Sequence, residues 1–339
     1  MITTTQNKQI KQIIKLKKSA RERRKQELFL VEGIRMFTEI PEEYLYKVYA
    51  SEDFYNEHRV IFEHMDVELV SPQVMKEISD TMTPQGVLAL VKMMKYSLED
   101  LLEQEKPLFL VLENLQDPGN LGTILRTGEG AGINGVIMSH DTVDIYNPKV
   151  TRSTMGSIFR VPFVYVDDLL EVAETMKQKN IITYAAHLNG TDYTKEDYQK
   201  GTAFFIGNEG NGLTDATAGQ ADCLIRIPMK GQLESLNAGV AAAILMYKTK
   251  FGIYVRVVGE NEDSAISLGL KTQKYKYIAV LIGAFCCALA GINLSMERMA
   301  MFTSDMTAGR GFIAIAAIYC GQGKPVQSSL YAILFGVAR

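Results

Sequence analysis

Between residues 107 and 254 the chain alternates short, unbroken apolar runs with stretches whose apolar positions recur at helical spacing. The runs are Leu108–Leu112, Gly135–Met138, Phe163–Val166, Ile182–Ala185, Ala203–Ile206 and Leu224–Ile227, all rich in Val, Ile and Phe. Strands that read as continuous apolar runs are covered on both faces, as in a parallel sheet flanked by helices. The alternation therefore predicts an α/β fold with right-handed crossovers. Residues 28–95 predict a second, smaller α/β unit with candidate strands Leu28–Val31, Lys47–Ala50, Glu68–Val70 and Val87–Val91. Residues 1–27 read as a basic helix with a rough apolar stripe of Ile10, Ile13, Ile14 and Leu16, and the charged stretch Leu98–Lys106 reads as a linker.

After residue 254 the pattern changes. Tyr277–Met296 contains no charge and is flanked by Lys274 and Lys276 before it and Glu297 and Arg298 after it. Its length suits a helix that crosses a membrane, and no amphipathic face is visible in it; the competing reading is a buried helix of a soluble domain. A second apolar stretch, Gly311–Ala338, is broken by Lys324 and Pro325 and reads as an interrupted segment.

Charge adds one feature to this outline. The net charge is −3, yet residues 1–25 carry nine Lys and Arg against one acid, Glu22. Such a block either contacts a polyanion or is a solvated helical face. No apolar run follows it, so it does not read as a signal peptide. Cys223, Cys286, Cys287 and Cys320 show no metal-like spacing and no disulfide framework, so a reducing compartment is the expectation for the first part of the chain.

Three islands in residues 107–254 can carry chemistry. In the first, the run ending at Leu112 leads through Asp117-Pro118-Gly119-Asn120, strong turn chemistry, into a helix expected from about Leu121. That places Asn120 at the helix cap and Arg126 about one and a half turns in, both able to face a cleft above the carboxyl ends of the strands. A plain capping role for Asn120 and a surface role for Arg126 remain open on spacing alone. In the second, an apolar run enters Gly207-Asn208-Glu209-Gly210-Asn211-Gly212-Leu213. These glycines let backbone approach a ligand closely, and Glu209 offers a carboxylate at a strand end; an ordinary tight turn is the competing reading. In the third, Ile227-Pro228-Met229 opens a polar loop, and Ser235 or Asn237 can cap a small-residue helix from Ala238. Gly128–Gly132 mimics a dinucleotide-binding loop, but a helix precedes it and a strand follows, so these glycines are expected to end the helix.

Taken in order and at this spacing, the three islands resemble the signature motifs of the SpoU (TrmH-like) family of RNA ribose 2'-O-methyltransferases. Asn147–Pro162, Phe29–Gly33 and Thr83–Ala89 are also similar to that family, the last two to its N-terminal RNA-binding domain. The resemblance covers about residues 8–252. It implies a trefoil-knotted, parallel-sheet methyltransferase domain over 107–254, an RNA substrate-binding domain over 28–95, and a homodimer with the helix Leu236–Tyr247 at its interface. It implies S-adenosylmethionine as cofactor, held by Gly207, Ile227, Leu236, Met229 and Leu188, and RNA as substrate, ribosomal in preference to transfer RNA. By the same resemblance Arg126 activates the ribose hydroxyl as base or electrostatic partner, and Asn120, Glu209, Ser235 and Asn237 position it. The basic helix would hold RNA phosphates. A non-catalytic RNA-binding protein with a degenerate pocket is the alternative. The tail, residues 255–339, resembles a fragment of an ABC-transporter permease of the sugar/nucleoside class through Arg256–Glu262, Ser267–Leu270 and Met306–Ala316. It implies membrane association through 277–296, and a transport component is the last alternative; residues 1–254 are expected to be cytoplasmic.

Overall fold

Each of the six apolar runs and each of the four candidate strands before them forms a strand in a computed structural model of the protein, which describes residues 1–229 and 236–247. Ser235, the permease-like segment 255–339 and the expected span 277–296 lie outside the described residues. Among the described residues no helix is long and apolar enough to cross a membrane.

The first sheet has the order β1-β4-β2-β3, from β1 (Leu28–Glu32), β2 (Leu45–Ser51), β3 (Val67–Val70) and β4 (Val87–Lys92). It carries helices α1 (Lys8–Lys18), α2 (Ala20–Gln26), α3 (Ile34–Phe37), α4 (Glu52–Glu57) and α5 (Pro72–Ile78). One face buries Leu28, Leu30, Tyr49, Leu88 and Leu90 against Ile10, Ile13 and Leu16 of α1 and Val74 and Ile78 of α5. The basic N-terminal stretch is not one helix, as expected, but two. The break falls at Ser19, whose hydroxyl accepts the backbone N–H of Glu22 and so starts α2 with an N-cap. Nor is the whole block solvated: Arg23 is buried, donating to Asp144 (Nε–Oδ2 3.0 Å, Nη2–Oδ2 2.5 Å) and to the Leu16 carbonyl at the end of α1.

The second sheet is entirely parallel, with the order β10-β8-β9-β5-β6-β7. Its strands are β5 (Leu108–Leu112), β6 (Gly135–Ser139), β7 (Phe163–Val166), β8 (Ile181–Asp192), β9 (Gly201–Ile206) and β10 (Cys223–Arg226). The central strands β5 and β9 are buried at every position. Their alternate residues serve two cores, as a sheet sandwiched between helix layers requires. Leu110, Leu112 and Phe204 pack with α7 (Pro118–Ala131), α8 (Pro148–Thr154) and α11 (Ala238–Tyr247). Phe109, Val111 and Phe205 pack with α6 (Leu98–Leu102), α9 (Leu169–Gln178) and α10 (Asp215–Gln220). The expected linker thus contains a short helix whose Leu101 and Leu102 are buried on the sheet; its charged residues hid two core positions.

The order of strands decides where a ligand can sit. From β5 the chain steps outward through β6 to β7, then crosses to β8 on the far side and returns through β9, which pairs with β5. Such a reversal opens a crevice at the carboxyl ends of the two adjacent strands. The two sheets share a core through β1 and the 146–159 segment, where the rings of Phe29 and Tyr146 lie 4.7 Å apart.

Candidate functional site

The crevice is bounded by the segments that follow β5, β9 and β10, which are the three islands of the sequence. The β5 segment turns through Asn114, in the left-handed region, and reaches α7 at Asp117. Asp117 Oδ1, not Asn120, caps this helix by accepting the N–H of Asn120 at 2.7 Å, with Pro118 at the first helical position. The expected capping role of Asn120 is thereby corrected. Asn120 lies inside the first turn, 7% exposed, with its side chain directed into the site. At the other end Gly132 closes α7 in the left-handed region, so the glycine cluster does end the helix.

After β9 the chain makes a closed loop. Asn208 and Gly212 exchange two backbone hydrogen bonds, and Asn208 Oδ1 accepts the N–H groups of Gly210 and Asn211. Gly207 is required at its base: a Cβ there would stand about 2.1 Å from the carbonyl carbon of Gly212 and 2.2 Å from the amide of Leu213. The loop delivers the Glu209 carboxylate to the start of α7, where it accepts the backbone N–H groups of Gln116 (3.1 Å) and Asp117 (3.0 Å) and the amide of Asn120 (2.9 Å). Burial pushes the Glu209 carboxyl up, but these hydrogen bonds outweigh it and hold the group below the ordinary glutamate range.

From Glu209 a chain of side-chain bonds runs across all three islands. Asn120 donates to Glu209; its Oδ1 accepts from Asn237 Nδ2 at 2.7 Å; Asn237 Oδ1 in turn accepts the N–H groups of Gly239 and Val240, capping α11. A carboxylate at one end only accepts and backbone N–H groups at the other only donate, so both amides have one consistent orientation. Glu113, at the end of β5, braces the loop after β9 by accepting the Thr214 amide and hydroxyl and the Thr217 hydroxyl.

Beside this relay lies a cavity of about 410 Å³. Gly207, Ile227, Leu236, Met229 and Leu188, the expected cofactor-binding set, all line it, as do Glu209 and Asn237. Asn120 stands one hydrogen bond behind the lining. Arg126 is exposed on α7, two turns from its start and one turn past Thr123, whose side chain lies against the beginning of α11 at Gly239; it is not among the lining residues. The cavity owes one wall, where the family resemblance put Leu188, to an irregularity that the apolar pattern does not show. The pairing of β8 with β10 is interrupted, Leu224 facing Ala185 but Ile225 facing Thr191. Residues 186–190 therefore leave the ladder, which brings Ala186, His187 and Leu188 to the cavity. Gly190 returns the chain so close to Ile225 that a Cβ would meet its backbone at 2.5 Å. Sequence reasoning also missed Asp117, Asn208 and Glu113; the two asparagines that bracket Glu209 in the loop were the available signal for Asn208.

The model of the SpoU rRNA methylase family matches residues 107–247, and that of the MRM3-like substrate binding domain matches residues 7–89. The chain is similar to the 23S rRNA guanosine 2'-O-methyltransferase RlmP of Bacillus subtilis, 33% identical over 262 residues, which covers 73% of this chain and 97% of that protein. Among solved structures it resembles the AdoMet-bound rRNA methyltransferase of Sinorhizobium meliloti (28% identity, TM-score 0.65, 73% of this chain and 95% of that one). It also resembles the SpoU methyltransferase AviRb of Streptomyces viridochromogenes in complex with AdoMet (26% identity, TM-score 0.65, 72% and 97%).

Proposed function

Because this chain belongs to the SpoU rRNA methylase family, we propose that it transfers the methyl group of S-adenosylmethionine to a ribose 2'-hydroxyl of ribosomal RNA. The observation that carries the proposal is the relay Glu209–Asn120–Asn237, which ties three separated stretches of chain into one cleft beside a cavity of suitable size.

The residues present fit the cofactor. A nucleoside of this size needs a few hundred Å³, mostly apolar walls and a few convergent polar groups. Ile206, Ile225 and Leu245 supply apolar wall, and the bare backbone at Gly207 lets main chain approach the cofactor closely, while the N–H and C=O of Gly212 are spent on Asn208. Gly207, Ile227, Met229, Leu236 and Leu188 would hold the cofactor. When bound, S-adenosylmethionine supplies an electrophilic methyl group on a sulfonium.

A ribose hydroxyl is a poor nucleophile and needs an electrostatic partner as its proton leaves. Arg126 has that role in this reading. A guanidinium keeps its charge at any working pH, so it stabilises the developing alkoxide rather than taking the proton outright. Asn237, on the cavity wall, positions the ribose together with Glu209, Asn120 holds both from behind, and Ser235 is assigned to the same group by its place in the third motif. We further infer the family's trefoil knot and a homodimer. In support, α11 lies on α7, with Gly239 against Thr123, and presents Val240, 47% exposed, for a second copy. The cytoplasm, where ribosomal RNA is made and modified in bacteria, is the compartment this reading assigns to residues 1–254.

The test is transfer of labelled methyl from S-adenosylmethionine to 23S rRNA by the full chain, with Arg126→Ala beside it. Loss of one preorganised charge partner is expected to lower turnover by about 10²–10³-fold, with cofactor affinity within twofold of the parent. Unchanged turnover removes Arg126 from the chemistry; no transfer to any ribosomal RNA by the parent chain overturns the proposal.

A further inference from the structure

The first sheet carries an aromatic side chain that the core does not use. Leu45 and Val48 of β2 both pack into the same core, although they stand three positions apart and strand alternation would send them to opposite faces. The reason is a β-bulge. Leu45 pairs with Val91 and Lys47 with Leu90, so Tyr46 is the extra residue between them. A bulge re-aims a side chain, and here it turns Tyr46 out to 57% exposure.

Tyr46 stands at an open groove of about 710 Å³. Leu28 and Met93 line it with apolar surface, and Gln12, Gln26 and Glu27 bring amides and a carboxylate to its rim. Gln12 donates to Gln26, and Lys95 is held by Glu27 at 2.6 Å, so these polar groups are set in place rather than loose. Gln12 and Gln26 belong to α1 and α2, whose outer side is basic. Lys8, Lys11, Lys15 and Lys18 are all exposed and recur every three or four residues, opposite the buried Ile10, Ile13 and Leu16. The stripe runs for about 15 Å at helical rise and continues onto α2 through Arg21, Arg24 and Lys25, also exposed.

We propose that this groove is a nucleotide-reading site: an unpaired base of the RNA stacks on Tyr46 while the adjoining backbone follows the basic stripe of α1 and α2. The proposal rests on the reading of this chain as an RNA-modifying enzyme and names, largely within the part that the substrate binding domain model matches, the groove and the ring that read a base. Recognition of RNA by sequence uses unpaired bases, which stack on aromatic rings and are read along their hydrogen-bonding edges. The ring supplies the stack, Glu27 and the glutamine amides supply acceptors and donors for the base edge, and the stripe supplies cations that phosphates favour. Lys92, whose Nζ donates to the carbonyl of Glu43, adds a cation to the groove lining.

The chain contains no tryptophan, which makes the experiment direct. Tyr46→Trp installs the only tryptophan, excited selectively over the tyrosines, at the stacking position of the full-length protein. Titration with a single-stranded RNA 12-mer of mixed sequence is expected to quench its emission, and Tyr46→Ala is expected to raise the Kd for that RNA roughly 5- to 150-fold. Tyr46→Phe keeps the ring and should bind like the parent. S-adenosylmethionine affinity should be unchanged in all three, because the groove and the methyl-transfer cavity share no lining residue. If the parent chain binds the RNA while Tyr46→Ala binds equally well and the tryptophan is not quenched, this site is wrong and the proposed reaction stands. If the parent chain binds neither this RNA nor ribosomal RNA, both fall.

Discussion

Removing the side chain of Asn120 tests whether the three islands work as one. Asn120→Ala deletes two bonds at once: the 2.9 Å donation to the Glu209 carboxylate and the 2.7 Å acceptance from Asn237. A net hydrogen bond to a charged group contributes about 1.5–3 kcal/mol and a neutral one about 1 kcal/mol. Glu209 keeps two backbone donors and water reaches it, so the lower end applies to the first bond. The sum is about 2–3 kcal/mol. If the relay holds the cavity in its binding shape, the same free energy appears as a loss of roughly 30- to 160-fold in S-adenosylmethionine affinity, at about 1.4 kcal/mol per tenfold. Asn120→Asp should do worse at neutral pH, because it sets a second carboxylate against Glu209, and should recover part of the loss in acid as the pair takes up a proton. The assay is calorimetric titration with the cofactor, repeated in the cycle of Asn120→Ala and Asn237→Ala, where a coupling of about 1 kcal/mol is expected. Affinity within twofold of the parent, with additive single effects, would show that the relay is incidental to binding.

Other perturbations test other parts of the cleft. Gly207→Ala drives a methyl group into the Gly212 carbonyl; overpacking of this kind costs about 1–3 kcal/mol, so cofactor affinity should fall by roughly 5- to 150-fold, read by the same titration. Arg23→Ala leaves the half-buried Asp144 carboxylate without its main partner. It should cost about 3 kcal/mol and lower Tm by roughly 6–12 °C, and Arg23→Lys should not restore it, because a single ammonium cannot reach both Asp144 and the Leu16 carbonyl. Glu209 has a folded-state pKa below its ordinary value. Its contribution is therefore complete above the usual glutamate pKa of about 4.3 and is lost as pH falls through the lower folded-state value. Cofactor affinity of the parent should be flat from pH 8 to about 5 and decline below that, whereas Glu209→Gln should be weaker at neutral pH and lack the acid limb. A parent profile that begins to fall near pH 6 would assign the titration to another group.

Much of the architecture is legible in the sequence because the information is local. A run such as Leu108–Leu112 or Ala203–Ile206 states by itself that both faces of the strand are covered, and both strands are buried throughout. Pro118 and Gly132 mark the two ends of α7 by their own backbone preferences. The motif residues announce a cleft by type and order. What the sequence mistook was local structure decided by distant partners. The charged stretch 98–106 hides Leu101 and Leu102, whose burial depends on where the sheet lies. Asn120 looks like a cap because it follows a turn, but Asp117 is better placed to accept its N–H.

Tertiary structure alone decided the relay and the cavity wall. Asn120 finds Glu209 across 89 residues of chain and Asn237 across 117, and no propensity or periodicity encodes a partner at that distance. The same holds for residues 186–190, which leave the ladder because β10 realigns on β8. Sequence sets the backbone preferences and which side chains must be buried. The order of strands then fixes which loops meet at the carboxyl ends of β5 and β9, and only that meeting turns a carboxylate, two amides and a helix start into one hydrogen-bonded unit.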